Sequence, residues 1–266
     1  MGFLAPVFGA IGTFFGSIGI IGKAIIGIGL NLLVGKLTEK KSAKKQPGGV
    51  EFEREYGENV SRKVACGLVG IAGHDCYVNT YGSSNKNLDQ IYRFADFPCD
   101  GLSKIWAGGK LLTLTVTSSD AVKTVYSVTS GDYAGRMSFT FYSGTQTAAD
   151  AGLVASSNPT GRWTANHIGT GICYLIARLT YDQEKLNQFP DFFFELRGAR
   201  LYDPRKDSTV GGSGAQRWDN YTTYEFSENP IVQEYNYRRG FSINDDMFCG
   251  MGMDAATSLS IATSRR

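Results

Sequence analysis

The chain has 266 residues, 42% apolar, 20% charged and 12% aromatic, so it is long enough to bury a core and too apolar for the disordered class. A net charge of +2, from 27 basic and 25 acidic residues, lacks the strongly basic footprint of a dedicated nucleic-acid binder. Five cysteines, Cys66, Cys76, Cys99, Cys173 and Cys249, have no CxxC spacing and read as free thiols packed as small hydrophobes, not as a disulfide framework or a structural zinc site.

Nine of the 33 glycines fall within Met1–Gly35, where Lys23 is the only charged side chain. The segment lacks the basic start of a signal peptide. Phe3–Ile21 is uncharged and would measure about 28 Å as a helix, near the roughly 30 Å of a bilayer core. Gly9, Gly12, Gly16 and Gly19 recur at three, four and three residues and so share one helical face, a small-residue stripe that lets helices approach closely. The head is therefore expected to be helical, packing against copies of itself, against another apolar partner or in lipid. Lys36–Lys45, with five lysines and one glutamate, reads as a solvated linker that Gln46–Gly49 (QPGG) terminates.

Downstream the period changes. Lys110–Val116, Thr124–Val128, Met137–Tyr142, Ile172–Tyr181 and Asp191–Leu196 are rich in β-branched and aromatic residues, and turn-forming clusters separate them, as expected for strands. Within Tyr174–Tyr181, Leu175, Ala177 and Leu179 alternate with Ile176, Arg178 and Thr180, the pattern of a half-buried strand. Helices are expected at Thr147–Val154, with Thr147 as N-cap and Asp150 at the third helical position, and at Ile231–Arg239, with Pro230 at the start and Gly240 just past the end. The Ala-rich Met253–Arg266 begins a further helical pattern without a cap, as if the chain were the front of something longer. The boundaries that follow are 1–35 for the head, 36–50 for the linker and 51–266 for a β-rich body, with about 110–165 as an insertion between interleaved subdomains.

Catalytic signals are sparse. His74 has Asp75 beside it and His167 has Asn166, but adjacent strand residues point to opposite faces, so both histidines read as structural or surface residues. Gly211–Gly214 (GGSG) lacks the Lys-Ser/Thr of a phosphate cradle and reads as a flexible surface loop. No GxSxG, HExxH or EF-hand pattern occurs, and Asp182, Glu184, Asp245 and Asp246 are not paired for glycosidase chemistry. The expected catalytic, cofactor-binding and metal-binding sets are empty.

A series of ordered motifs does rise above background: Gly171–Tyr181 (GICYLIARLTY), Phe192–Gly198 (FFFELRG), Arg200–Arg205 (RLYDPR), the Gly-rich loop, Trp218, and Ser227–Pro230 (SENP). Asp203-Pro204-Arg205 has the chemistry of a turn, with Asp accepting from the backbone and Pro fixing φ; Arg200 and Arg205 are then in reach of Asp203, Asp207 or a neighbouring subunit. Trp218 and the tyrosines around it suit a core or an interface.

This order resembles the baseplate hub or tail tip attachment family of long-tailed bacteriophages, the J-like tail proteins. Val50–Arg62, Gly67–Asn79, Tyr92–Gly101 and the apolar head before a Lys-rich linker resemble the opening of the same proteins. The resemblance implies a non-enzymatic tail-tip component of the virion, an α+β, β-dominated chain with β-barrel-like tube domains, assembled as a homotrimer and without a cofactor. It implies contacts with the distal tail or tube protein ring, the tape-measure protein and the central fibre, a lumen that DNA crosses without specific binding, and a part in host attachment and genome ejection. Members usually run far beyond this length. The alternative is a membrane-active protein that uses the Gly-rich head as a fusion or pore-forming element in transient contact with the host membrane.

Overall fold

Alternating apolar and polar residues from Leu68 onward build two antiparallel sheets that face each other. The computed structural model describes residues 62–243 and 246–249; the Gly9, Gly12, Gly16 and Gly19 stripe, the lysine linker, the QPGG break and the Met253–Arg266 segment lie outside these.

The larger sheet has six strands: β2 (His74–Tyr81), β3 (Asn87–Ala95), β6 (Leu114–Ser119), β7 (Lys123–Val128), β8 (Met137–Tyr142) and β9 (Cys173–Thr180). They lie in the order β2-β3-β9-β8-β7-β6. The smaller sheet has the order β1-β10-β4-β5, from β1 (Leu68–Ile71), β4 (Gly101–Ala107), β5 (Lys110–Leu111) and β10 (Phe192–Arg197). Two-residue strands β11 (Arg200–Leu201) and β12 (Glu225–Phe226) pair with each other, as do β13 (Phe241–Ile243) and β14 (Asp246–Cys249). Among the described residues the helices are short: α1 (Ala151–Ser156), α2 (Pro230–Arg239) and four single 3₁₀ turns. The chain is thus α+β and dominated by strands, as its composition implies, and both sheets are open.

The main core fills the space between the sheets. Tyr92, Phe94, Phe139, Leu175 and Leu179 from the larger sheet meet Ile105, Phe192, Phe194 and Leu196 from the smaller one. Phe192 sits edge-on to both Tyr92 (5.9 Å) and Phe139 (5.5 Å), and Phe94 meets Phe194 at 4.9 Å, spacings at which aromatic pairs attract beyond their buried area. The opposite face of the larger sheet is covered as well, by Leu153 of α1 and by Trp163 and Ile172 against Ile91, Tyr142, Tyr174 and Ile176.

Four expectations change. β9 is not half-buried: Leu175, Ala177 and Leu179 face one core while Ile176 is equally buried in the other, because the segment after β8 folds back over the outer face. The expected strand Lys110–Val116 is divided between the sheets, with β5 beside β4 and β6 beside β7; Leu112, at the crossing point, is buried and donates its N–H to Ile105 O. The first helix begins at Ala151 because Asp150, not Thr147, is its N-cap and accepts from Leu153 N at 2.8 Å. The 211–214 loop is folded against neighbouring backbone and is described below. The second helix agrees with its sequence signals: Asn229 caps it through Ile231 N, Pro230 opens it, and Gly240 (φ 98°) closes it by donating to Asn236 O.

Candidate functional site

The motif series from Arg200 to Pro230 folds into one body around four aromatic rings. β11 leads into Tyr202, which is buried, and α2 holds its backbone from both sides: Asn236 Oδ1 accepts from Tyr202 N at 3.1 Å, and Asn236 Nδ2 donates to Tyr202 O at 2.8 Å. Tyr202 then packs with Trp218, Tyr224 and Tyr235. The Arg239 guanidinium lies 3.4 Å from the Trp218 ring centroid and donates to Tyr235 Oη at 2.9 Å. A cation over an indole face is held by the ring quadrupole. Trp218 therefore belongs to a partly buried aromatic cluster, and its carbonyl accepts from Tyr224 Oη at 2.7 Å.

The Asp-Pro-Arg turn is a closed unit. Asp203 caps a 3₁₀ turn, with Pro204 at its first position, and accepts from Arg205 N (3.0 Å), Nε (2.9 Å) and Nη2 (2.6 Å). Burial alone would raise the Asp203 carboxyl, but the Arg205 donors outweigh it and hold the pKa below the ordinary carboxylate value. Asp207, 1% exposed, accepts from Thr209 N and Oγ1, from Tyr202 Oη at 2.7 Å and from Arg217 Nη1 at 3.1 Å. Again burial pushes upward and the donors prevail, so this carboxyl is also lowered. The same contact, added to burial, raises the Tyr202 hydroxyl.

The Gly-rich loop lies on this turn. Ser213 N donates to Arg205 O and Gly212 N to Asp207 O, both at 2.9 Å. A Cβ at Gly212 would meet the carbonyl oxygens of Pro204 and Arg205, 2.5 Å from the latter. Glycine is needed here because the two backbones touch, and the expected flexible loop is instead a hydrogen-bonded layer.

Arg205 reaches Asp203 as expected, whereas Arg200 does not: it donates to Asp100 Oδ1 at 2.9 Å, beside Arg197 on Oδ2 at 2.8 Å. β11 directs Arg200 away from the turn and toward the loop before β4. The structure thus brings together Asp203, Arg205 and Trp218 and places Arg200 at the neighbouring junction. Arg217, Gln216 and Asn236, which complete the body, carry no sequence pattern that sets them apart.

A second polar cluster was not anticipated. Asp89 on β3 and Asp150 at the N-cap of α1 both face Arg178 on β9, at 3.9 Å and 2.5 Å. Ser156 Oγ and Tyr81 Oη donate to Asp89, and Tyr142 Oη donates to Asp150. Burial raises the Asp89 carboxyl despite Ser156, Arg178 and Tyr81. Buried charges of both signs with hydroxyl donors resemble a catalytic constellation, yet Asp89 is 0% exposed, so no substrate reaches it. The cluster joins α1 to the sheet.

His167 Nδ1 accepts from Thr164 N at 3.0 Å and its ring stacks on Trp163, while His74 Nδ1 lies 3.5 Å from Cys76 Sγ. Cys99 and Cys173 are buried thiols, Cys66 is half-buried and Cys76 is exposed, where desolvation by its surroundings still raises its thiol. Among the described residues, no group of three or more His, Cys, Asp or Glu side chains is placed to hold a metal ion, and no helix is long and apolar enough to cross a membrane.

No family model matches the sequence. No curated protein matches it. Among solved structures the chain is similar to one described as the virion of a native gene transfer agent (GTA) particle, at 17% identity and a TM-score of 0.38. The match covers 87% of this chain and 49% of that one, so the chain spans about half the length of the protein it matches.

Proposed function

We propose that the chain is a non-enzymatic structural subunit of a phage-like virion, placed at the tail tip as a baseplate hub. The observation that carries this reading is the Arg200–Pro230 body. Asp203 and Asp207 are ionised and saturated by donors from their own backbone and from Arg205 and Arg217, which makes a rigid platform and leaves neither carboxyl as a general acid. Two open sheets suit a subunit whose edges are covered by neighbours, and cyclic closure is the common way to do so.

In this reading three copies close a ring that continues the tail tube, meets the distal tail protein and the tape-measure protein on one side and hands over to the central fibre on the other. A net charge of +2 suits a conduit through which DNA passes during ejection without binding. The Gly9, Gly12, Gly16 and Gly19 face would pack helices of the head, and Arg200, Arg205 and Trp218 would lie toward neighbouring subunits. Gold-labelled antibody raised against residues 62–243 is expected to decorate the tip of assembled tails, with native mass spectrometry of released tips giving three copies. Label on the capsid, or along the whole tube, would overturn the reading.

A further inference from the structure

The segment between β8 and β9, residues 143–172, is closed on itself at its base. Gly171 N donates to Gly144 O and Thr170 Oγ1 to Gln146 O, both at 2.8 Å, while the Gln146 side chain accepts from Gly144 N and donates to Ile172 O. A loop tied at its neck can lift as a unit without unravelling the strands on either side. Three attachments hold it to the larger sheet. Asn158 donates from N to Asn79 Oδ1 and from Nδ2 to Thr80 O, and Asn79 Nδ2 donates to Ser156 O. Leu153, Trp163 and Ile172 pack with Ile91, Tyr142, Tyr174 and Ile176. The third attachment is the charged node of Asp89, Arg178 and Asp150.

The apolar attachment is incomplete. Tyr77 Oη, Trp163 Nε1 and Tyr174 Oη are buried in it without a hydrogen-bond partner among the described residues. Lifting the segment hydrates all three, which lowers the cost of opening. The node is uneven as well. The sheet supplies the cation, Arg178, and one carboxylate, Asp89, with Tyr81 Oη donating to Asp89 at 3.3 Å and Arg178 Nη1 to Thr140 Oγ1 at 2.7 Å. The segment supplies a cover and a second carboxylate: Ser156 Oγ donates to Asp89 at 2.7 Å, and Asp150 takes Arg178 at 2.5 Å, leaving Asp89 3.9 Å from the same guanidinium. One cation thus faces two carboxylates where Asp89 is wholly buried. Ionising both leaves one negative charge uncompensated, which a buried site resists. The other titratable groups facing the node are Tyr81, Tyr142, whose Oη donates to Asp150, and Tyr174. Burial raises all three hydroxyls above their ordinary value of about 10, so Asp89 loses its proton before any of them.

We propose that the 143–172 segment is a pH-gated cover over the outer face of the larger sheet, held down while the Asp89–Arg178–Asp150 node keeps a proton and released when that proton passes to solvent. With the segment down, Asp89 is dehydrated and lies near the Asp150 charge. Both conditions favour its protonated form and outweigh the Ser156 donor. With the segment lifted, Asp150 and Ser156 leave with it, Asp89 is hydrated, and Arg178 is freed to pair with Asp89. The closed form therefore binds the proton more tightly than the open one, and the open form gains as pH rises above the ordinary carboxylate value of about 4. Arg178 is the two-state element: it holds the carboxylate of the segment while Asp89 is neutral and that of the sheet once Asp89 is ionised. His167, the histidine of the segment, is bonded within it to Thr164 N and Oγ1. This inference rests on the node and its cover and not on the tail-tip reading.

The test is hydrogen–deuterium exchange of the full chain at a series of pH values above about 4, each rate divided by the intrinsic rate at that pH. Protection across α1 and at Asn158 and Trp163 should fall as pH rises, by at most about tenfold per pH unit because one proton is released, while protection in β8 and β9 stays level. Asp89→Asn keeps an acceptor for Ser156 and Tyr81 but cannot ionise, so protection of its segment should be level with pH; it retains His167, so a level profile assigns the response to Asp89. Segment protection in the parent chain that is independent of pH, or that falls in step with β8 and β9, would overturn the proposal whether or not the variant folds. So would a profile in Asp89→Asn as steep as that of the parent.

Discussion

Arg178, on the central strand β9, donates to Asp150 at 2.5 Å while the other function of that carboxylate is to cap α1 through Leu153 N at 2.8 Å. One side chain therefore starts a helix and fastens it to the sheet. Removing it in Asp150→Ala loses the cap, the Tyr142 hydroxyl bond and the nearer carboxylate of a guanidinium whose side chain is only 25% exposed. The expected loss of stability is about 2–4 kcal/mol, from a cap worth about 1 and a partly buried cation left with only the more distant Asp89 carboxylate at 3.9 Å. Asp150→Asn keeps an acceptor for Leu153 N and should lose less. Urea unfolding of both variants checks the order.

Asp89 and Asp207 should respond to pH in opposite senses. Burial raises Asp89, so the folded protein holds that proton more tightly than the unfolded chain does. Its contribution is complete below the unfolded value of about 4 and is lost as pH rises through the folded value. Asp89→Asn should therefore gain on the parent chain as pH rises above about 4. Asp207 is lowered, with its donors overcoming burial, so its contribution is present above about 4 and is lost as pH falls through the folded value. Asp207→Asn should cost most at neutral pH and progressively less in acid. Unfolding midpoints of Asp89→Asn above about pH 4 and of Asp207→Asn below it decide the two; a curve parallel to that of the parent chain within its own window would refute that assignment.

Gly212 tests whether the 211–214 loop is a layer or a free loop. A methyl group there meets the Pro204 and Arg205 carbonyls, so Gly212→Ala should destabilise by about 2–4 kcal/mol, as backbone overpacking does. Ser213, in the same loop, is exposed and should accept alanine with a change within about 0.5 kcal/mol. Thermal denaturation of the pair separates the two outcomes.

Asn229 is the N-cap of α2, which in turn clamps Tyr202 through Asn236. Asn229→Ala should cost about 1 kcal/mol, and Asn229→Asp, which keeps the acceptor, should cost much less. Because the cap acts through α2, amide exchange in the alanine variant should quicken first across Ile231–Tyr235 and at Tyr202.

The strand-rich class of the chain, four of its strands and the limits of α2 were written in local chemistry: β-branched and aromatic enrichment at Met137–Tyr142 and Asp191–Leu196, and the Asn-Pro start and Gly stop around Pro230–Arg239. The turn at Asp203-Pro204-Arg205 was equally legible, because an aspartate serves its own backbone two residues on and its reach is local. What sequence could not settle was which neighbour a strand or a long side chain would find. β9 became buried on both faces, Lys110–Val116 divided between two sheets, Arg200 turned to Asp100, and Asp89, Asp150 and Arg178 met from three separate elements. Periodicity reports the faces a segment offers to its surroundings. Only the folded chain, by bringing segments far apart in sequence to within a few ångströms, decides what covers each face and which charges share a site.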